Sequence, residues 1–333
     1  MKELIEIVDI YSTIIQDISL KINQRIMPVY SKVIKCYLMF WIINIRKIMD
    51  WLTLSLLTGL SVASQDAWVK KFFSDFNPYE MSVIPMIFSL PVFLPALYFV
   101  DVPPLDKTFA VWFILSLPLN TLSIILYMSA IRRSPLSLTL PYLAFSPVFM
   151  IFTGYLFLGE IPEATGIAGV VIICIGAYTL NLTDGIRHFF TPFKAVTKER
   201  GSLIMIFVAL LFSIAAPIGK KAILHSSPEF FSISFFTVLT FFMCLCFYSK
   251  ISFRRISKKP LTGFGAGILF ACHVLFHGFA VALVNVTYMI SIKRFSVIFG
   301  IIYGRLFFKE ENTLLRLVGG VIMISGAALI TLS

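Results

Sequence analysis

The sequence predicts an all-α polytopic membrane protein, with ten transmembrane helices arranged as two inverted five-helix repeats. Three observations carry that expectation. Of 333 residues, 58% are hydrophobic and only 14% charged, and the mean hydropathy is +0.91, too apolar for a single water-soluble core. Apolar runs follow one another from residue 51 onward, most near the roughly 20 residues that cross a bilayer core of about 30 Å. Finally, the pattern of Ala130 to Leu182 returns at Ala280 to Leu332, an offset of 150 residues. The offset pairs Ser146 with Ser296, Gly154 with Gly304, Phe157 with Phe307, Gly169 with Gly319 and Gly176 with Gly326. It also pairs Lys70 with Lys220, Lys71 with Lys221, Pro78 with Pro228 and Ser82 with Ser232.

Residues 1–48 differ from the rest. Leu4, Ile7, Tyr11, Ile14, Ile18 and Ile22 recur at helical spacing opposite Glu3, Glu6, Asp9, Gln16 and Asp17, the pattern of an amphipathic helix. Val33 to Ile45 is apolar but short and carries Lys35, which suits an interfacial helix better than a span. This leader is read as a membrane-surface appendage, or as the product of a start codon placed upstream of Met49. Spans are then expected near residues 51–71, 80–100, 108–131, 136–158 and 162–182, forming the first repeat at 51–182. After a linker at 183–200, spans near 202–222, 229–249, 261–284, 287–308 and 313–332 form the second at 201–332. Five crossings per unit force the second copy to enter the membrane inverted, an architecture of secondary transporters whose site lies between the halves.

The net charge of +11 would suggest nucleic acid in a soluble chain. Here the basic residues cluster in short loops: Lys70 and Lys71, Arg132 and Arg133, and Lys250, Arg254, Arg255, Lys258 and Lys259. Loop retention on the inner side of a cell membrane, of the bacterial inner-membrane kind, explains them without a nucleic-acid partner. The basic leader pulls the N-terminus the opposite way, so sidedness stays open. The five cysteines show no metal-ligand spacing, and no cofactor is expected.

The hinge sequence SPVFMIFTGYLFLGE, followed by GIAGVVIICIGAYTL, resembles the EamA-type repeat of the drug/metabolite transporter superfamily. Its second copy, RFSVIFGIIYGRLFFKE with GGVIMISGAALITL, does so too. LLFSIAAPIGKKAI, with Phe212 and Lys220, is similar to the family's aromatic-then-lysine pattern, whereas Val62 stands where the first copy would carry the aromatic. The resemblance implies a ten-helix carrier with a central cavity lined by the first, third and fourth helices of each copy. It implies a small-molecule cargo drawn from amino acids, nucleotide sugars, other metabolites or toxic organic compounds.

Ionisable groups inside a bilayer are costly and mark candidate sites. Asp66 reads either as a protonation site in the cavity or, through its i,i+4 spacing to Lys70, as an interfacial ion pair, with the spacing favouring the latter. His273 and His277 share one helix face and align by the offset with Ser123 and Tyr127, so two related helices present polar groups at one depth. The histidine pair lacks further ligands for a metal. Lys293 and Arg294 would attract an anionic cargo. Adjacent helical residues diverge by about 100°, which predicts that one of the two snorkels away. The leading expectation is a secondary transporter. The rivals are a non-transporting membrane scaffold or sensor with the leader as its working part, and an intramembrane His-dependent enzyme. A chain beginning at Met49 is expected to insert and transport like the full chain in a reconstituted uptake assay, and loss of insertion would refute the appendage reading.

Overall fold

The computed structural model describes residues 49–179, 200–308 and 314–332, all within one compact unit, Met49–Ser333. The predicted leader helices and the linker at 183–199 lie outside the described residues. The first repeat comprises α1 (Trp51–Phe73), α2 (Pro78–Phe99), α3 (Lys107–Arg133), the single turn α4 (Leu136–Thr139), α5 (Ser146–Leu158) and α6 (Ala164–Thr179). The second comprises α7 (Arg200–Leu224), α8 (Pro228–Cys246), the short α9 (Phe253–Ile256), α10 (Pro260–Leu283), α11 (Val286–Lys293), α12 (Ser296–Phe308) and α13 (Leu314–Thr331). No strand occurs among the described residues.

Local chemistry sets the helix ends, and the 150-residue offset reaches the caps. Asn77 caps α2 with a reciprocal capping box to Glu80, and its equivalent Ser227 caps α8; each is followed by proline in the first turn. At the other ends, Lys70 Nζ donates to the carbonyl of Ser134, the C-cap of α3, at 2.5 Å. Lys220 Nζ does the same at 2.6 Å to Val284, the C-cap of α10. An ammonium there meets the negative end of the helix dipole.

Ten equal spans are more than the described residues provide. By length and composition, six segments can cross a membrane: α2, α3, α7, α8, α10 and the stretch Val286–Phe308. Tyr142–Leu158, Ala164–Thr179 and Val318–Thr331 are apolar but shorter. Helix α1 is 23 residues long and carries Asp66, Lys70 and Lys71 in its second half. The outer faces of these helices display Ile114, Phe152, Leu156, Phe241 and Leu245, side chains suited to lipid.

The fourth and ninth predicted spans are not continuous. Between α4 and α5 the chain runs as a 3-10 helix, Leu140–Phe145, with Pro141 in its first turn and Pro147 in the first turn of α5. At the equivalent place, α11 stops at Lys293 and α12 restarts at Ser296, with the short-range bonds Phe295 N to Ile292 O and Val297 N to Arg294 O. No proline or glycine occurs there. Instead Gly59 of α1 lies so close that a Cβ on it would stand 2.9 Å from the Lys293 carbonyl oxygen. Broken backbone at membrane depth is tolerated where protein buries it or where it borders a cavity.

The two copies meet through helices that run in opposite directions. Along α6 and α13, a Cβ on Gly169 would lie 2.6 Å from the carbonyl of Gly326, and one on Gly176 2.8 Å from that of Gly319. One number rises as its partner falls, so these equivalent helices are antiparallel and cross glycine to glycine. Helix α1 packs antiparallel on α10, where Trp68 Nε1 donates to Thr262 O at 2.8 Å and Lys259 Nζ to Phe72 O at 2.7 Å. Helix α3 packs likewise on α7, through Lys221 over the Trp112 ring and Tyr127 against Phe212. Gly169→Ala should lower the melting temperature of purified protein, an overpacking cost of about 1–3 kcal/mol. Gly320→Ala, whose Cβ would meet nothing nearer than 3.8 Å, should leave it unchanged.

Candidate functional site

A cavity of about 170 Å³ lies between the two repeats, lined from α1, α2, α3, α5 and the 3-10 segment on one side and α7, α8, α10 and α11 on the other. Its charged wall is built by α1, α3, α10 and the break after α11. Asp66, 2% exposed, accepts a short hydrogen bond from the Tyr127 hydroxyl. Lys293 Nζ lies 3.1 Å from His273 Nε2. Arg294, 4% exposed, reaches across to the first repeat, where Nε and Nη2 donate to Ser146 Oγ at 3.1 and 2.5 Å.

Six of the seven candidate residues border this space: Asp66, Tyr127, His273, His277, Lys293 and Arg294. Ser123 does not. Its side chain is fully buried and its hydroxyl donates to Leu119 O one turn back at 2.7 Å, the usual fate of a mid-helix serine. Two further expectations need correction. Asp66 does not pair with Lys70 at an interface, because Tyr127 of α3 engages the carboxylate and Lys70 is drawn to the end of that helix. Neither Lys293 nor Arg294 snorkels away: both line the cavity, Lys293 towards His273 of α10 and Arg294 towards Ser146 at the start of α5.

Several lining residues escaped the sequence reading. Asn120 borders the cavity but is a single polar residue in an apolar run, with no spacing to mark it. Ser82, Ser232 and Ser146 were visible only as members of aligned pairs. Lys220 also lines the cavity and forms an ion pair with Glu160, whose other oxygen accepts from Val286 N at 2.8 Å. Glu160 thus joins the hinge of the first repeat to the start of α11. It stands after Gly159, whose left-handed φ of 69° closes α5. No group of three or more metal-ligating side chains occurs among the described residues.

Ionic straps join the repeats at each end. At the end where α1 stops and α2 begins, Arg255 Nη2 and Lys259 Nζ lie 3.1 and 3.3 Å from the Asp75 carboxylate, and Arg255 Nη1 is 3.7 Å from Glu80. At the opposite end His225 Nδ1 is 2.8 Å from Asp106 Oδ2. His225 is the 150-offset equivalent of Asp75, so the two straps occupy related positions. Partial burial pushes the Asp75 carboxyl up, but the Lys259 hydrogen bond and the charges of Lys259 and Arg255 outweigh it and hold it below the usual carboxylate range. The Asp75 pairs therefore persist as acid is added through that range. The Phe109 backbone N–H, which Asp106 caps, holds the Asp106 carboxyl low, with His225 adding to the effect.

The profile of the EamA-like transporter family matches residues 49–182 and again 199–332. The chain belongs to that family. It is a multi-pass membrane protein of two EamA repeats, consistent with the apolar helices described above. A solved crystal structure of a protein, 14% identical, covers 84% of this chain and 97% of its own length with a TM-score of 0.60. At that identity the likeness concerns the fold alone. A search of curated proteins finds no match.

In this EamA protein the Arg294–Ser146 contact ties the two broken helices together. Ser146→Ala removes the acceptor from a buried guanidinium and should destabilise the protein by about 1–3 kcal/mol. Thermal unfolding in detergent checks this, and Ser123→Ala, which removes only a local back-bond, should cost less.

Proposed function

We propose that this protein is a secondary transporter that carries a small organic molecule through the cavity between two inverted five-helix repeats. The cycle would expose that cavity to one side and then the other, using ten crossings in which the broken pairs α4–α5 and α11–α12 each count as one. The observation that carries this reading is the cavity itself, with the polar cluster Asp66, Tyr127, His273, Lys293 and Arg294 gathered between antiparallel halves. Charged groups are expensive at membrane depth, and such clusters characteristically belong to a transport path. The paired straps support alternation: Asp75 with Arg255 and Lys259 at one end, Asp106 with His225 at the other. A rocking carrier needs a releasable contact at each mouth.

A metal-dependent enzyme would need a third ligand beside His273 and His277, and no group of three or more metal-ligating side chains occurs among the described residues. The scaffold reading gives the straps no work to do. With the native cysteines Cys36, Cys174, Cys244, Cys246 and Cys272 replaced, a single cysteine at Ala216 in the cavity wall reports which mouth is open to an impermeant maleimide. Asp75→Asn and Asp106→Asn should shift its labelling in opposite directions across the membrane of oriented vesicles. Equal labelling in both variants would refute alternation.

A further inference from the structure

We propose that the cargo is a small organic monoanion, a carboxylate attached to a flat aromatic or comparably apolar body, and that Lys293 takes the carboxylate. This rests on the transporter reading for its direction of argument, but the binding claim stands on its own geometry. Three cations line the cavity, all of the second repeat, Lys220, Lys293 and Arg294, against one carboxylate, Asp66. These groups are not equivalent in what they can offer. Arg294 is buried and directs Nε and Nη2 to Ser146, while Asp66 is engaged by Tyr127. Lys220, the remaining lining cation, is paired with Glu160.

Lys293 differs from all of these. It is half-buried, borders the cavity, and its ammonium contacts the ring nitrogen Nε2 of His273. No carboxylate among the described residues forms an ion pair with it. An ammonium has three donors and no acceptor, so with Nε2 accepting one bond, the others remain for an occupant. The charges of Lys293 and Arg294 both act on the single carboxylate of Asp66, and at membrane depth an anionic occupant beside Lys293 offsets the cost of the remaining positive charge.

The body of the cargo follows from the wall that leads to Lys293. Aromatic rings touch in an unbroken series: Phe231 stacks on Phe235 at 5.1 Å, and Phe235 meets Phe236 edge-on at 5.2 Å. Phe236 meets Phe270 at 5.3 Å, and Phe270 meets His273 at 6.1 Å. All five residues line the cavity, and the last one contacts the ammonium. The offset places Met81, Pro85, Met86 and Asn120 at the positions equivalent to the four phenylalanines, and Leu143 at that of Lys293. The aromatic wall and its terminal charge therefore belong to the second repeat alone. A planar apolar body along the rings, with its carboxylate at Lys293, matches that layout in shape and polarity.

The test uses purified full-length protein and four probes of one skeleton: 3-phenylpropionate, 3-phenylpropanamide, 3-phenylpropylamine and L-phenylalanine. Thermal stabilisation reports binding, and uptake into proteoliposomes reports transport. The expected result is stabilisation and uptake of 3-phenylpropionate at least tenfold better than of the amide, amine or amino acid. Lys293→Gln should abolish that preference and Lys293→Arg should restore it in part. Preference of the wild-type protein for the amide, amine or amino acid overturns the inference while leaving transport intact, and so does absence of binding by all four. Binding of 3-phenylpropionate without uptake leaves the anion site standing and overturns the transporter reading instead. If Lys293→Gln does not fold, the wild-type comparison alone decides.

Discussion

Everything in this molecule depends on the requirement that backbone polar groups away from water find partners. Two segments breach the regular helix at equivalent places, Leu140–Phe145 and Arg294–Phe295, and neither could face lipid. The structure meets this by turning both inward. Gly59 admits the backbone at Lys293, and Arg294 crosses to Ser146 at the other break. A guanidinium is a costly group to bury, yet here it links the second break to the start of α5 in the first. The cavity borders the breaks because a broken helix and a polar space are tolerated for the same reason: each supplies what the other lacks.

The remaining architecture can be understood as what holds the breaks in register. Helices α6 and α13 cross through four glycines related by the repeat, so their backbones approach closely without side chains to separate them. Lysines at equivalent positions seat on the ends of α3 and α10 and fix the depth of the first helix in each copy. Glu160 binds Lys220 and the start of α11 together, so a hinge of one copy sets the position of the other. Each of these contacts uses a residue type whose size or charge cannot be exchanged for a neighbour in the usual substitution tables.

How much of this was legible in the sequence varied with the physics involved. The duplication and the run of apolar helices were readable because apolar length and periodicity carry local signals. The break after Lys293 was not: no proline or glycine announces it, and Gly59, whose missing Cβ lets the two backbones approach there, lies more than two hundred residues away. Lys293 and Arg294 were expected to part, and both line the cavity instead. Asp66 was misread for a related reason, since the i,i+4 lysine is a local cue and Tyr127 is a tertiary partner. Ser123 showed the opposite error, an alignment-based polar match that the helix itself satisfies. The cavity residue Asn120 gave no cue because isolated polar residues are common in packed helices.

The two copies have kept their frame and lost their chemical likeness. Positions 66 and 216 hold aspartate and alanine, 143 and 293 leucine and lysine, 144 and 294 alanine and arginine. A carrier made of two identical halves would present the same face to either compartment and bind its passenger equally from both. Unequal halves release that constraint, so the dissociation constants on the two sides can differ. Microscopic reversibility nonetheless forbids such asymmetry from accumulating anything by itself. In the proposed carrier, any concentration difference would have to be drawn from a second gradient, and the divergence between the halves would set only the concentrations at which it runs fastest in each direction.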